Sequence, residues 1–336
     1  MHKTFKRLKS SPGLGVMLGV FYGLILRITY DWKLVSGFLE IISTAFLIAA
    51  PFVVGAIAVF FMPREKPTTP WQHLKIANTA MAFFLLAMFI FVLEGLICLV
   101  LVAPVFFSAA SLGGLVMGKV IKHSNKAGAT LNGLVLLPFM LSAYESQMPG
   151  GQATGTVANS IVVNAPAEQV FNQIARVKNI RPEELGFSFM HWVGLPRPLE
   201  ADMSGTGVGA VRLSKWEQGV SFKERITQWQ APSRMYYTFD IPAGSIPREA
   251  LDQHVELGGK YFTVTQGGYD IEAINAHQSR LTLHTVYVNK SKLQLYGNIW
   301  SSIALADFHH SILQLIKHRA EINKSLDIHT DTRSAS

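Results

Sequence analysis

The stretch that decides the fold runs from residue 160 to residue 171 and reads SIVVNAPAEQVF. Its first four residues, Ser160 to Val163, are rich in β-branched side chains and predict a strand. A helix begins directly after them, because Pro166 suits a first helical turn and Glu168 is favoured at the positive end of a helix. The apolar face of this helix then consists of Val170, Phe171, Ile174 and Val177.

More strands follow this helix, and a long helix closes the sequence. Short turn signals such as Gln218-Gly219 separate the strand-like runs. The predicted strands cover residues 207–216, 220–229, 234–241, 260–265, 268–274 and 279–288. The closing helix extends from Leu293 to Asn323. This order predicts an α+β domain in which a curved antiparallel sheet wraps around a long C-terminal helix and leaves a cavity between them.

The same residues resemble the SRPBCC superfamily, which includes START-like, polyketide-cyclase-like and birch-pollen-allergen-like helix-grip domains. The resemblance covers residues 156–323. It lies in three stretches and two residues after them: Val162–Phe171, Gly205–Arg212, Gly219–Trp229, Pro232 and Tyr237.

The resemblance implies a cavity for a hydrophobic ligand and supplies no catalytic set. Phe171 is a mild departure, since Trp is common at that position of the pattern. The ending around Asp307 and His310 is similar to bacterial members whose N-terminal half is a membrane region.

The N-terminal part, residues 1–146, has the composition of a membrane protein. Mean hydropathy over the whole chain is +0.26, which is high for a soluble protein. Five apolar segments are predicted to span a membrane: residues 13–30, 34–62, 76–102, 104–121 and 130–146. A Gly- and Pro-containing linker, residues 147–157, then leads into the soluble domain, and residues 324–336 are predicted to be a flexible tail.

The distribution of charge predicts which side of the membrane each part occupies. Residues 1–150 hold 12 Lys and Arg against 5 Asp and Glu, so +7 of the net +8 lies in the membrane part. The basic loops are residues 2–9, 64–75 and 119–126, which places the N-terminus in the cytoplasm of a bacterial inner membrane. Five spans would put the soluble domain in the periplasm, and four would keep it cytoplasmic. The near-neutral soluble part argues against a nucleic-acid partner.

Two features of the membrane part are candidates for function. Glu94 is predicted to lie within the third span, where a carboxylate is costly. It is either a proton or polar-headgroup site, or a carboxyl held by the helix near a break. Gly15, Gly19 and Gly23 share one helical face, which suits close helix packing or contact with a membrane-protein partner or a second copy. Arg27 is expected to extend toward the interface.

In the soluble part, the hairpin at Gln218-Gly219 directs one carboxylate inward. A two-residue loop pairs Leu213 with Glu224. The shared face is otherwise apolar: Val211, Leu213, Phe222 and Ile226. Glu224 would then orient a ligand hydroxyl or act as an acid or base, or it would bind backbone or a neighbouring Arg. A three-residue loop would change the faces.

The closing helix carries a second candidate group. Its sheet-facing stripe is predicted to be Tyr296, Ile299, Ile303, Ala306, Asp307, His310 and Leu313. Asp307 and His310 are three residues apart, so their side chains can meet as an orienting carboxylate and a general base, or as a structural pair. His309 is expected at the surface.

The predicted ligand-contacting residues are therefore Phe222, Glu224, Trp229, Tyr269, Tyr287, Ile303, Asp307 and His310. His284 is expected to point outward, and His254 lies in a loop suited to a cavity mouth. Cys98 is the single cysteine, and no motif for a metal, nucleotide or other cofactor is present.

These residues favour a membrane-anchored binding module for a lipid or other hydrophobic small molecule, for sensing or transfer. Two alternatives remain open. One is a cyclase, dehydratase or hydrolase acting on a hydrophobic substrate through Asp307 and His310 or Glu224. The other is a structural or regulatory subunit of a membrane complex, which would show a filled interior and an exposed apolar patch.

Overall fold

The computed structural model describes residues 11–31, 43–63, 67–148, 150–242, 245–247, 250–251 and 256–334. The chain forms two compact units, Met1–Gly151 and Gln152–Ser336. The division between them falls within the predicted linker.

The first unit is helical. Its elements are α1 (Pro12–Asp31), a π-helical turn (Ala45–Ala49) that continues into α2 (Ala50–Phe60), α3 (Pro70–Ile90), α4 (Leu96–His123) and α5 (Ala127–Glu145). Among the described residues, α1, α3, α4 and α5 are long and apolar enough to cross a membrane, whereas the helix Ala45–Phe60 is shorter. Part of the second predicted span, residues 34–42, lies outside the described residues.

The break between the third and fourth helices differs from the prediction. The predicted spans 76–102 and 104–121 placed it near Ala103 and Pro104, but α4 continues through this proline and the chain turns at residues 91–95 instead. Val92 has a left-handed φ of 53°, and Gly95 precedes the first turn of α4 with extended backbone angles. A proline within an apolar helix is tolerated where neighbouring helices support the backbone. Glu94 therefore lies in the turn and not within a helix.

The three glycines of α1 pack against helices of the same chain. A Cβ on Gly19 would lie 2.9 Å from Val54 O of α2, and one on Gly23 would lie 2.9 Å from the ring of Phe84 of α3. Gly15 faces the backbone of Ala58. This close packing is the use that small residues have between membrane helices. It also corrects the expectation that this face receives a second copy, because α2 and α3 already occupy it.

Contacts within the helical unit show which helix ends lie together. The hydroxyl oxygen of Tyr30, near the end of α1, lies 2.6 Å from Oγ of Ser142, near the end of α5. The Glu145 carboxylate, in the last turn of α5, accepts hydrogen bonds from the backbone nitrogens of Thr44 and Ala45 at 3.0 and 3.1 Å. The ends of α1 and α5 thus meet the beginning of the helix that leads into α2.

The other end of the unit carries the lysines. The start of α1 meets the end of α2 at Gly15 and Phe61, and the end of α4 meets the start of α3 at Gly118 and His73. All four described lysines of this unit lie in segments at this end: Lys75, Lys119, Lys122 and Lys126. We call it the lysine end. The helical segments therefore alternate in direction, and the chain leaves α5 at the opposite end.

The second unit is a seven-stranded antiparallel sheet with helices. Its strands are β1 (Ala153–Val163), β2 (Pro198–Ser204), β3 (Val211–Trp216), β4 (Ser221–Gln230), β5 (Arg234–Asp240), β6 (Phe262–Asn275) and β7 (Gln278–Asn289). The spatial order is β1-β7-β6-β5-β4-β3-β2, which places β5 in the middle. Its helices are α6 (Ala167–Ala175), the short α7 (Phe189–Trp192) and the long α8 (Gln294–Ser334).

The core of this unit lies between the sheet and its helices. Buried apolar residues of α6, such as Ile174, and of α8, such as Leu313 and Ile316, pack on inward residues of the sheet, such as Ile226 and Leu281. β-Bulges interrupt the register between β4 and β5 and between β6 and β7, and bulges bend strands. A seven-stranded antiparallel sheet closed by a long C-terminal helix is the predicted helix-grip architecture.

Candidate ligand-binding site

The turn between β3 and β4 determines which side chains of β3 enter the interior. It contains three residues, Glu217 to Gly219, with left-handed φ at Gln218 (58°) and Gly219 (76°). Arg212 therefore pairs with Glu224, and Ser214 pairs with Phe222. The expectation that Val211 and Leu213 share the face of Glu224 was wrong, because it rested on a two-residue loop.

Arg212 and Glu224 form a buried ion pair. Arg212 Nε donates to Glu224 Oε2 at 2.5 Å, and Arg212 Nη1 donates to Ile174 O at 2.6 Å. The guanidinium also lies 4.9 Å from the ring centre of Tyr237 and 5.8 Å from that of Tyr269. These contacts hold Glu224 against Arg212, which is the structural alternative that the sequence left open.

Burial and pairing act in opposite directions on this pair. Burial raises the pKa of Glu224, and the neighbouring Arg212 opposes that increase. Burial, the largest single cause, lowers the pKa of Arg212, but Glu224, Tyr237 and Tyr269 together raise the pKa above its ordinary value. Because a guanidinium remains protonated at any physiological pH, the buried charge of Arg212 favours the carboxylate form of Glu224.

Aromatic rings cover the inner face of the sheet next to this pair. Trp216 stacks on Phe308 of α8 with ring centres 5.2 Å apart, and Phe222 lies 5.8 Å from Trp216 and 5.7 Å from Phe239. Phe239 in turn contacts Tyr237 at 5.3 Å. We call these five rings the aromatic wall. They connect β3, β4, β5 and α8.

Phe239 is the most informative member of the aromatic wall. It lies on the central strand, directly across from Glu224, and it borders three separate clusters of buried apolar residues. Despite this position it is only partly buried, as are Trp216 and Phe308. Solvent therefore reaches the inner face of the sheet at this end.

An apolar cluster adjoins the aromatic wall at the β3–β4 turn. It consists of Val220, Phe222, Ile246, Ala250 and Leu251, and we call it the hairpin-end cluster. Leu195, which follows α7, is partly buried against it.

Two buried polar atoms border this cluster without a hydrogen-bond partner among the described residues. They are Nε2 of His191 and Oγ of Ser245. His191 Nδ1 lies 3.0 Å from the carbonyl oxygen of Leu195, and Ser245 precedes Ile246. Buried polar atoms in native proteins are nearly always paired with protein, water or a ligand. The apolar cluster thus has polar groups at its border that can receive a ligand.

Asp307 positions α7 and does not meet His310. It accepts hydrogen bonds from Ser188 Oγ at 2.5 Å and from the backbone nitrogens of Phe189 and Met190 at 3.2 and 3.0 Å. His310 is exposed. The expectation that the two side chains meet was wrong, because the amides of α7 already surround the carboxylate.

Ser188, His191 and Asp307 do not form a nucleophilic triad. The hydroxyl of Ser188 donates to the carboxylate itself, and the imidazole of His191 is bonded to a backbone carbonyl. In a catalytic triad the serine hydroxyl is hydrogen-bonded to the imidazole, and the imidazole is hydrogen-bonded to the carboxylate.

The buried stripe of α8 differs from the predicted one. Ser301, Leu305, His309 and Leu313 are buried at intervals of four residues. Ile299 and Ile303 are 50% and 45% exposed, so the placement of Ile303 in the site was wrong. Together with Leu295 they form an exposed apolar stripe.

His309, expected at the surface, is fully buried. Its Nε2 lies 2.8 Å from Thr285 Oγ1, and its Nδ1 lies 2.9 Å from Asn159 Oδ1. Burial lowers the pKa of His309 to about 4, and His284 adds to this effect. The burial of His309 could not be predicted from the sequence, because the polar residues at 301 and 309 interrupt the apolar pattern of the buried face.

The remaining predicted residues lie at several places. Tyr287 is buried, with its hydroxyl 3.5 Å from Ser302 Oγ. Trp229 packs edge-on against Phe171 with ring centres 4.9 Å apart. His284 is on the outer face, 2.9 Å from the Asp270 carboxylate. His254 lies outside the described residues.

In the helical unit, Glu94 forms an ion pair with Arg27 at 2.8 Å. Arg27 Nη2 also donates to Leu93 O at 2.9 Å. Both side chains are buried, so Arg27 does not extend toward the interface as expected.

No group of three or more His, Cys, Asp or Glu that could hold a metal ion occurs in the part of the chain that the structure describes.

Sequence reasoning missed several residues of this region: Ser188, His191, Arg212, Trp216, Phe308 and His309. The three-residue turn was the available signal for Arg212. Trp216 follows from the same register, since it is two residues further along the same face as Ser214.

No protein-family model and no curated protein matches the sequence. Solved structures do resemble it. A norcoclaurine synthase point mutant of Thalictrum flavum has 13% identity and a TM-score of 0.34, covering 52% of this chain and 99% of its own. The Zhui aromatase/cyclase of Streptomyces sp. R1128 has 12% identity and a TM-score of 0.32, covering 50% and 94%. Ara h 8.0201 has 11% identity and a TM-score of 0.32, covering 50% and 98%.

The second unit is a helix-grip domain on the basis of its strand order and closing helix. At these identities the solved structures add nothing about activity.

Proposed function

We propose that the protein is a membrane-anchored binding module whose helix-grip domain holds a lipid or other hydrophobic small molecule, for sensing or transfer. The observation that carries this proposal is the partial exposure of Phe239 at the centre of the inner face. A ring at that position, among three apolar clusters, would be sealed in a fully packed domain.

The lining has the composition of a hydrophobic ligand site. The aromatic wall and the hairpin-end cluster supply apolar contact, and His191 Nε2 and Ser245 Oγ supply unpartnered polar atoms at the border. Apolar lining with a few polar groups that fix orientation is the usual design of small-molecule sites.

The geometry gives less support to an enzyme. Asp307 is committed to α7, and Glu224 is held by Arg212. His191 lies beside the aromatic wall, and its Nε2 has no hydrogen-bond partner among the described residues. Its other ring nitrogen is bonded to a backbone carbonyl, so no carboxylate orients the imidazole as a general base requires.

We further propose that the helical unit lies in a bacterial inner membrane with the binding domain on the periplasmic side. The bacterial setting comes from the resemblance of the sequence to membrane-linked SRPBCC proteins. Support for the side comes from the helical unit, whose described lysines lie at one end while α5 finishes at the other. Lysine-rich ends face the cytoplasm.

A filling substitution with a matched control tests the binding proposal. Phe239→Trp adds volume on the inner face of β5, whereas Thr238→Trp adds the same side chain on the outer face of the same strand. The full chain is purified in mild detergent, and bound ligand is measured by native mass spectrometry and solvent extraction.

We expect wild type and Thr238→Trp to carry an apolar ligand at about one per chain, and Phe239→Trp to carry much less. Wild-type protein without a ligand, or equal loading of both variants, would contradict the proposal.

A further inference from the structure

The unpartnered nitrogen of His191 defines the chemistry of a head group. His191 Nδ1 lies 3.0 Å from the carbonyl oxygen of Leu195. A carbonyl oxygen only accepts hydrogen bonds, so Nδ1 carries the proton. Nε2 of the neutral ring is then a lone-pair acceptor, and the structure leaves it buried without a donor among the described residues.

The ring is held in this neutral form. Burial is the main reason that the pKa of His191 is lowered, and the hydrogen bond to Leu195 opposes it. At neutral pH the imidazole therefore presents an acceptor, not a second donor.

The charges around the ring disfavour an anionic ligand. The charged groups that act on His191 are Arg197, Asp307 and Glu217. Their net charge is −1, and a carboxylate or phosphate placed at Nε2 would meet both this charge and the lone pair of the nitrogen. A neutral hydroxyl has the opposite properties, because it donates a hydrogen bond and brings no charge.

We propose that the site binds a neutral amphiphile with a hydroxyl head group, whose O–H donates to His191 Nε2 while its apolar chain lies on the hairpin-end cluster and the aromatic wall. This inference rests on the proposed binding function and adds the class of ligand. The position of His191 supports this class of ligand, because its ring is hydrogen-bonded to the carbonyl oxygen of Leu195 and the side chain of Leu195 packs against the hairpin-end cluster.

Three probes of equal chain length separate the head groups: 1-hexadecanol, its methyl ether and hexadecanoate. Each is added at the same mole fraction to full-length protein in mild detergent at pH 7.5, and the one-ligand fraction is measured by native mass spectrometry. We expect the alcohol to bind about tenfold more tightly than the ether, which corresponds to one satisfied buried acceptor, and hexadecanoate to bind no better than the ether.

Three variants test whether the preference for the alcohol over the ether depends on His191. His191→Phe keeps an aromatic ring but removes the acceptor, so the alcohol should fall to the level of the ether. His191→Gln supplies an amide oxygen as acceptor and should retain part of the preference, which guards against a loss caused by misfolding. His277→Phe makes the same change at an exposed histidine in the β6–β7 turn and should behave as wild type.

Equal binding of alcohol and ether by wild type, or a preference that persists in His191→Phe, would overturn the inference while leaving the binding function intact. Failure of wild type to bind any of the three probes, together with the absence of a co-purified apolar ligand, would overturn the binding function as well.

Discussion

Arg212 and Glu224 each need the other, because each side chain is a buried charge that the other neutralises. Both are almost fully buried, and each is the other's ionic partner. Removing one member of a buried pair leaves an uncompensated charge, whereas replacing both by apolar residues of similar size is often neutral.

We therefore expect Glu224→Leu to destabilise the helix-grip domain by about 3–5 kcal/mol. The double variant Arg212→Met/Glu224→Leu should recover most of that loss. Urea unfolding of the full chain in detergent, followed by tryptophan fluorescence, measures both. A single variant as stable as wild type would show that Glu224 is not held by Arg212.

His309 makes the stability of the domain depend on pH. Its pKa is about 4 in the folded protein, below the ordinary value of 6.5. As the pH falls, the unfolded chain takes up a proton on this histidine at a higher pH than the folded protein does. The contribution of His309 to stability is therefore fully present above pH 6.5 and is lost as the pH falls toward 4. The difference in pKa corresponds to about 3 kcal/mol at most.

Substituting His309→Gln should flatten the stability profile between pH 6.5 and 4.5, and the exposed His310→Gln should not. The lower limit matters because Glu184 adds a second loss below pH 4.5, since hydrogen bonds from Arg319 lower its pKa to about 2. Denaturant unfolding at a series of pH values measures the profile. An unchanged slope in His309→Gln would contradict this role.

At the level of residues, the sequence predicted those positions that strand alternation decides. Glu224 and Phe222 are inward because β4 alternates regularly. Arg212 could not be placed, because one additional turn residue reverses the faces of β3. On α8, the choice between His309 and His310 was wrong, because the buried stripe contains serine and histidine that hydropathy does not distinguish from surface residues.

Among the elements, α7 depends most on a single contact from elsewhere. It has four residues, and its first amides donate to the Asp307 carboxylate of α8. A helix this short has no stability of its own, so the cap decides whether it forms.

Asp307→Ala should destabilise α7 by about 1–2 kcal/mol, the usual effect of a lost helix cap. Amide hydrogen exchange at Phe189 and Met190 should become faster, and exchange in β7 should not change. His310→Ala, three residues further along the same helix and exposed, is the matched control. Unchanged protection at both amides would show that Ser188 alone holds α7.

The boundary between α3 and α4 shows that an apolar pattern alone does not predict where a long apolar run turns. Residues 76–121 form one long apolar run, and we predicted that it breaks near Ala103 and Pro104. The structure bends the chain at Val92 and Gly95 instead, next to the buried carboxylate of Glu94. The signal was the charged residue, because a turn brings Glu94 within reach of Arg27.

For the molecule as a whole, the order of elements predicted the fold class, whereas the apolar pattern left open whether four or five segments cross the membrane. The apolar pattern predicted five spans. Among the described residues, four helices are long and apolar enough to cross a membrane, and the helix Ala45–Phe60 is shorter. That shorter helix still runs from Glu145 at one end of the unit to Gly15 at the other. The length of its described part alone would have excluded it as a span, but its contacts place it across the helical unit.

Labelling of single cysteines tests the proposed side of the membrane. In a Cys98→Ser background, Gln147→Cys follows α5 and Lys122→Cys lies at the lysine end; both positions are exposed. A maleimide that cannot cross membranes should label Gln147→Cys in intact spheroplasts and Lys122→Cys only after permeabilisation. Labelling of both positions before permeabilisation, or the reverse order, would contradict the proposal.

The pairing of Arg27 with Glu94 has an electrical consequence. Membrane voltage does work of about 2.3 kcal/mol per 100 mV on one elementary charge that crosses the bilayer. Opposite charges joined at 2.8 Å add to zero net charge, so in the membrane setting proposed above voltage exerts no net force on the intact pair. Loss of either partner would leave a single charge in the helical unit, on which voltage then acts.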